Sequence, residues 1–174
     1  RLAGRSRYDT ALVIAQKVIA LQGQAYGGGV FVATGANFPD ALGASPLAAR
    51  TGFPILLANP NSSTIALPPQ ADVAIVCGGE GAVSRSIERT LEQRLGVDHV
   101  MRFDGEDRFE TAAYVAEMGV LMFGMTWDGV GVTTGMNYPD ALSAGPALSA
   151  MNTVMLLTRP YQLPLVSAIC LSYY

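Results

Sequence analysis

Asn37 and Asp40 are the two side chains best suited to hold a polar ligand, and the chain writes them twice. They sit in Thr34-Gly35-Ala36-Asn37-Phe38-Pro39-Asp40-Ala41-Leu42, which returns as Thr134-Gly135-Met136-Asn137-Tyr138-Pro139-Asp140-Ala141-Leu142. An amide both donates and accepts hydrogen bonds and a carboxylate accepts them, so the pair suits hydroxyl groups. Proline fits the first helical turn, so Pro39 and Pro139 put Asp40 and Asp140 at helix N-termini. There an acid also offsets the macrodipole, by about 0.3–1 kcal/mol. Groove contact and helix start therefore both stand as readings of Asn37, Asp40, Asn137 and Asp140. Recurrence does not choose between them, because a repeat must rebuild its helix start each time.

Arg7 and Arg108 pose the same question. They recur within Arg1-Leu2-Ala3-Gly4-Arg5-Ser6-Arg7-Tyr8-Asp9-Thr10-Ala11 and Arg102-Phe103-Asp104-Gly105-Glu106-Asp107-Arg108-Phe109-Glu110-Thr111-Ala112. A cation near a helix N-terminus is badly placed for the dipole, so each arginine needs a specific partner. Asp40 and Asp140, or an anionic group on a ligand, are the candidates. Arg1 and Arg102 share the pattern.

Catalytic chemistry has little to work with. His99 is the only histidine, which leaves a His-rich metal site or a Ser-His-Asp triad without support. No nucleophile–base pair stands out. Gly27-Gly28-Gly29 precedes a strand, whereas a dinucleotide fingerprint follows one. Gly78-Gly79-Glu80-Gly81 follows a strand but lacks the fingerprint spacing and the lysine of a phosphate loop, so it reads as a tight turn. No cofactor and no metal are expected. Cys77 and Cys170 do not occupy matching places, which excludes a repeated disulfide.

The elements that position these residues follow from periodicity. Ala11, Ile14, Ala15, Val18 and Ile19 have helical spacing and stop at Gly23; Ala112, Ala113, Ala116 and Val120 run towards Gly124. Val30–Ala33 and Val130–Thr133 are short apolar runs that read as buried parallel strands. A helix is expected from Pro39 to Arg50, and its counterpart from Pro139 to Met151. Strands follow at 54–58 and 154–158. Copy one adds a strand at 73–77, a helix capped by Ser84 with the stripe Ile87, Leu91 and Leu95, and a strand at 97–101. Strands alternating with helices predict an α/β fold with parallel sheets, built as tandem repeats of a small Rossmann-like or Toprim-like unit. The expected division is 1–98 for the first repeat and 99–174 for the second, truncated in its C-terminal part.

Composition narrows the partners. Half of the residues are hydrophobic and 14% are charged, against roughly 25% in an ordinary soluble domain. So few charges imply that part of the surface is covered by another repeat or subunit. A net charge of −3 provides no basic patch and argues against nucleic acid. Asn137, Pro139, Asp140 and Pro146 interrupt the longest apolar stretch, so no membrane span is expected. The chain opens on Arg1 without a leader, and each copy lacks a part that the other has. Both features predict a piece of a longer tandem array.

The ordered motifs Arg-x-x-Gly-x-x-Arg-aromatic-acid-Thr-Ala, Thr-Gly-x-Asn-aromatic-Pro-Asp-Ala-Leu, Pro-Ile-Leu-Leu and Gly-Gly-x-x-Ala-Val-Ser resemble the type 2 cell-wall-binding repeat of Gram-positive bacteria. The resemblance spans Arg1 to about Leu95 and Arg102 to about Arg159. It implies a secreted or surface protein held non-covalently to the wall, with repeats that assemble in threes. The implied ligand is an anionic secondary polymer attached to peptidoglycan. It also implies that the Ile-Leu-Leu motif, at Ile55, Leu56 and Leu57, serves polymer binding; the second copy departs with Val154, Met155, Leu156 and Leu157. On physics alone those residues are core strand. The leading expectation is thus a non-catalytic anchor, set against a wall amidase or glycan hydrolase and against a self-assembling interaction module.

Overall fold

The computed structural model describes residues 1–172. In order, the elements are α1 (Arg7–Gln22), β1 (Gly29–Thr34), α2 (Pro39–Gly43), α3 (Ser45–Thr51), β2 (Ile55–Ala58), β3 (Val73–Cys77), α4 (Arg85–Leu95) and β4 (Val100–Phe103). The second repeat contributes α5 (Arg108–Phe123), β5 (Thr126–Thr134), α6 (Pro139–Ala150), β6 (Thr153–Thr158) and α7 (Leu165–Leu171). All strand pairs are parallel. One sheet has the order β2-β1-β3-β4 and the other pairs β5 with β6. This is the α/β architecture expected from the alternating strands and helices.

Local chemistry sets the helix ends. The Ser6 hydroxyl accepts from the Asp9 amide at 3.2 Å, and Asp107 accepts from the Phe109 and Glu110 amides at 2.8 and 3.0 Å. Each cap satisfies amides that the first turn leaves unpaired. Gly23 and Gly124 close the two helices at φ 55° and 67°, where a side chain would be strained.

β1 is buried along its whole length because helices cover both faces of its sheet. Val30 and Val32 point into a core with Ala15 of α1 and with Ile87 and Leu91 of α4. Phe31 and Ala33 point the other way, onto Leu47 and Ala48 of α3 and onto Ala113 and Ala116 of α5. A helix of the second repeat therefore completes the core of the first. A further cluster of Leu42, Phe109, Ala112, Ala141 and Leu157 seals the joint. This shared interior is the covered surface that the low charge content required.

Three elements differ from the sequence reading. The helix from Pro39 breaks at Ala44, whereas α6 runs unbroken from Pro139 to Ala150. Both copies have a proline here, Pro46 and Pro146, so the missing amide is shared; what differs is that the Ser45 hydroxyl takes the Leu42 carbonyl at 2.7 Å. The second copy has Gly145 in that place, with no hydroxyl to compete. The strand expected at 97–101 starts at Val100, after a 3-10 turn at Val97–His99, and extends through Arg102 to Phe103. It is the fourth strand of the first sheet, hydrogen-bonded to β3. β5 begins at Thr126, ahead of the expected start at Val130, with an irregularity in its pairing between Thr126 and Gly131.

Candidate functional site

Loops at the carboxyl ends of β1, β3 and β4 converge, which is where open parallel sheets bind ligands. They enclose a groove of about 370 Å³ across the joint. Thr34, Asn37 and Asp40 face it from the first repeat, and Glu106, Asp107 and Arg108 from the second. Pro39 starts α2 and sets Asp40 in its first turn; the Asn37 carboxamide oxygen accepts from the Phe38 amide at 2.9 Å and fixes the loop.

Asp40 is the most perturbed group in the groove. Burial raises its pKa above the usual carboxylate value, and the positive charge of Arg108 partly offsets that. Its carboxylate lies against Gly78, which has φ 102° and where an added Cβ would run into that carboxylate. Gly78 is thus glycine for two reasons, its conformation and its contact with Asp40.

The arginine question resolves the same way in both copies. Arg7 donates to the Gly35 carbonyl at 2.8 Å, and Arg108 donates to the Gly135 carbonyl at 2.7 Å. Each ties the start of a helix to the Thr-Gly loop of its own repeat. Sequence reasoning offered a carboxylate or a ligand as partner and missed a backbone carbonyl. Arg108 does more than this, because it also crosses the joint. Its guanidinium lies 6.0 Å from the centre of the Phe38 ring, and its charge acts on Asp40 of the first repeat. Arg7 lines a second, more apolar cavity of about 510 Å³ with Gly35, Asn37, Phe38, Leu42 and Leu57.

Asn137 and Asp140 are exposed, on the face of the second repeat that corresponds to the joint of the first. The structure does not bring them to the Asp40 groove. Ile55 pairs in register with Phe31 and packs on the shared core, Leu56 is buried on the opposite face, and Leu57 reaches the cavity that Arg7 lines.

Sequence reasoning passed over Arg102 as a support of the groove. It donates to the carbonyls of Gly78 and Val83 and to Glu88 at 2.9 Å, pinning the turn that carries Gly79 and Ala82. Burial alone would raise the Glu88 pKa, but hydrogen bonds from Arg102 and Arg85 outweigh it and the net shift is downward. The available signal was a glutamate between Ile87 and Leu91 on the apolar stripe of α4, where an unpaired charge would not be tolerated. Among the described residues, no group of three or more His, Cys, Asp or Glu side chains is gathered to hold a metal ion.

A family model described as cell wall binding domain 2 (CWB2) matches residues 1–88 and 102–171. This chain belongs to that family. The CWB2 chain is similar, at 30% identity over 164 residues, to N-acetylmuramoyl-L-alanine amidase LytC of Bacillus subtilis (strain 168), covering 91% of this chain and 30% of the amidase. It is 29% identical over 171 residues to the amidase enhancer of the same organism, covering 94% of this chain and 22% of the relative. The chain therefore spans less than a third of the length of the curated relatives it matches. Among solved structures, Cwp8 from Clostridium difficile aligns with a TM-score of 0.77 at 24% identity, over 98% of this chain and 28% of Cwp8. Cwp6 from the same organism aligns at 0.76 and 24% identity, over 99% of this chain and 27% of Cwp6. These two show the fold. The family model thus matches one stretch in each copy of the repeat read from the sequence.

Proposed function

We propose that this CWB2 pair is a non-catalytic module that holds a longer secreted or surface protein to the Gram-positive envelope by gripping an anionic secondary wall polymer. The observation that carries the reading is the groove across the joint, with Asn37 and Asp40 on one wall and Arg108 on the other. Its charged lining is Asp40, Glu106, Asp107 and Arg108, so carboxylates outnumber cations. That balance suits sugar hydroxyls inside the groove, which carboxylates accept from, and leaves the anionic groups of the polymer to the arginines at its edge. The Ile-Leu-Leu strand supports the loops from beneath, with Leu57 at the wall of the more apolar cavity. We keep the division at residues 98 and 99, although β4, just beyond it, adds the fourth strand to the sheet of the first repeat.

Assembly with further repeats, as a ring of three, belongs to the same reading. The joint is heterologous: α5 of the second repeat lies on α2 of the first, so the two units offer different surfaces to each other. Leu42, Pro46 and Leu47 are buried there, while Leu142, Pro146 and Ala147 at the matching positions are exposed. A third unit placed on that face would build a second groove around Asn137 and Asp140. Repeated weak contacts would then retain the protein through effective concentration.

Co-sedimentation of the chain with purified wall sacculi, before and after acid stripping of secondary polymers, tests the reading. Retention that disappears with the polymer, and that weakens in Arg108→Ala and Arg7→Ala, is the expected result. A folded protein carrying enough repeats that stays in the supernatant with intact walls would overturn it. Turnover of wall substrates by this chain, lost in Asp40→Asn while binding survives, would instead establish an enzyme.

A further inference from the structure

A smaller cavity of about 260 Å³ lies between the start of α1 and the loop after β2 of the first repeat. Tyr8, Asp9, Leu57, Asn59, Ser62 and Thr64 line it. It is separate from the groove across the joint and is built within one repeat.

The second repeat contains the same place with an occupant. Phe109 stands where the first repeat has Tyr8, Asp107 where it has Ser6, Glu110 where it has Asp9, and Arg159 where it has Asn59. Both rings are seated alike, with Tyr8 against Gly35 and Leu57 lining the same cavity, and Phe109 against Gly135 beside Leu157. The Arg159 guanidinium lies 4.7 Å over the Phe109 ring and 3.9 Å from the Asp107 carboxylate. Phe109 is 3% exposed, enclosed by that guanidinium together with the apolar cluster of the joint. In the first repeat Asn59 is too short to reach across, and its side-chain oxygen accepts from the Asn61 amide at 3.0 Å instead. Tyr8 has no such cation over it and lines the open cavity, partly exposed.

We infer that this cavity is a binding site for an organic cation, a guanidinium or alkylammonium group such as a basic side chain of a peptide. The cation would lie on the Tyr8 ring as Arg159 lies on Phe109, with Asp9 supplying the negative charge that Asp107, at the position of Ser6, supplies in the second repeat. The lining carries one carboxylate and no cationic side chain, so it repels an anionic group and attracts a positive one. An aromatic face attracts a cation through its quadrupole, and the Asp9 charge adds to that attraction. Oxygens of Ser62 and Thr64 at the rim supply further acceptors for N–H donors. The second repeat holds its cation permanently in the same chain, and the first leaves the place to a partner.

Amide NMR titration of the isotope-labelled whole chain tests this without any wall preparation, so its outcome is independent of the groove reading. L-arginine amide probes the guanidinium form, n-butylammonium the alkylammonium form and N-acetylglucosamine a neutral sugar. At least one cation should move the amides of Tyr8, Asp9, Ser62 and Thr64 along a saturating curve that weakens with added salt. Asn59→Arg should abolish the response by filling the cavity from within, as the second repeat does. Asp9→Asn, which keeps an N-terminal polar group on α1, should also lose it with the rest of the spectrum unchanged. Movement with the sugar alone, no movement with any probe, or a response that survives Asn59→Arg would each overturn the inference.

Discussion

Phe38 and Tyr138 occupy the same position in the two repeats, and their rings meet edge to face with centroids 5.9 Å apart. Equivalent residues touch only near the axis that relates their units, so the pseudo-symmetry axis passes beside this pair. The Asp40 groove is built on the flank of that contact, from loops of both repeats. The candidate groove and the packing of the repeats thus share one joint.

Burial at the joint predicts unequal costs for one substitution at two matching leucines. Leu42 is 9% exposed and Leu142 is 61% exposed. Leu42→Ala should cost about 2–5 kcal/mol of unfolding free energy, the range for a buried leucine. Leu142→Ala should stay within about 0.5 kcal/mol in this chain. Urea unfolding of both variants checks the difference.

Gly145 faces Ser45, its own counterpart in the first repeat, and a Cβ there would collide with the serine side chain. Alanine would improve helix propensity by up to about 1 kcal/mol. Overpacking typically costs about 1–3 kcal/mol and should win, so Gly145→Ala lowers the melting temperature. Adding Ser45→Gly should restore much of the loss, as a double-mutant cycle would show.

Glu88 is 6% exposed and held by Arg102, with its pKa lowered in the folded state. A lowered carboxylate pKa contributes stability that is present above the unfolded value and is lost as pH falls through the folded value. Glu88→Gln should therefore destabilise the protein at neutral pH, by about 2 kcal/mol for a charged hydrogen bond. It should also flatten the acid limb of the stability–pH curve measured by thermal unfolding.

Asp40 has the opposite sign. Its pKa is raised mainly by burial, so its ionisation opposes folding: the stability it contributes is full below the unfolded pKa and declines as pH rises through the folded one. Asp40→Asn should raise the melting temperature at neutral pH while weakening retention on wall sacculi. A gain in stability coupled to a loss of binding is the pattern expected of a functional carboxylate held at a cost. Unchanged retention in a stabilised variant would assign Asp40 to the helix start alone.

Much of this protein is legible without coordinates. The repeat of Thr-Gly-x-Asn-aromatic-Pro-Asp announces two like units, because side-chain order in the chain is independent of how the units pack. Apolar runs and glycine stops place α1, α5, β1 and β6, since helix and strand periods are local properties. Tertiary structure decided everything that depends on distance between remote residues. No local pattern could assign Arg7 and Arg108 to glycine carbonyls, because every residue has a carbonyl and none is marked in the sequence. Nor could it set Arg108 of one repeat against Asp40 of the other, or close Arg159 over Phe109 while Tyr8 stays open. Closely matching strings in the two repeats acquire different surroundings because a heterologous joint buries one copy of each surface and leaves the other copy facing solvent.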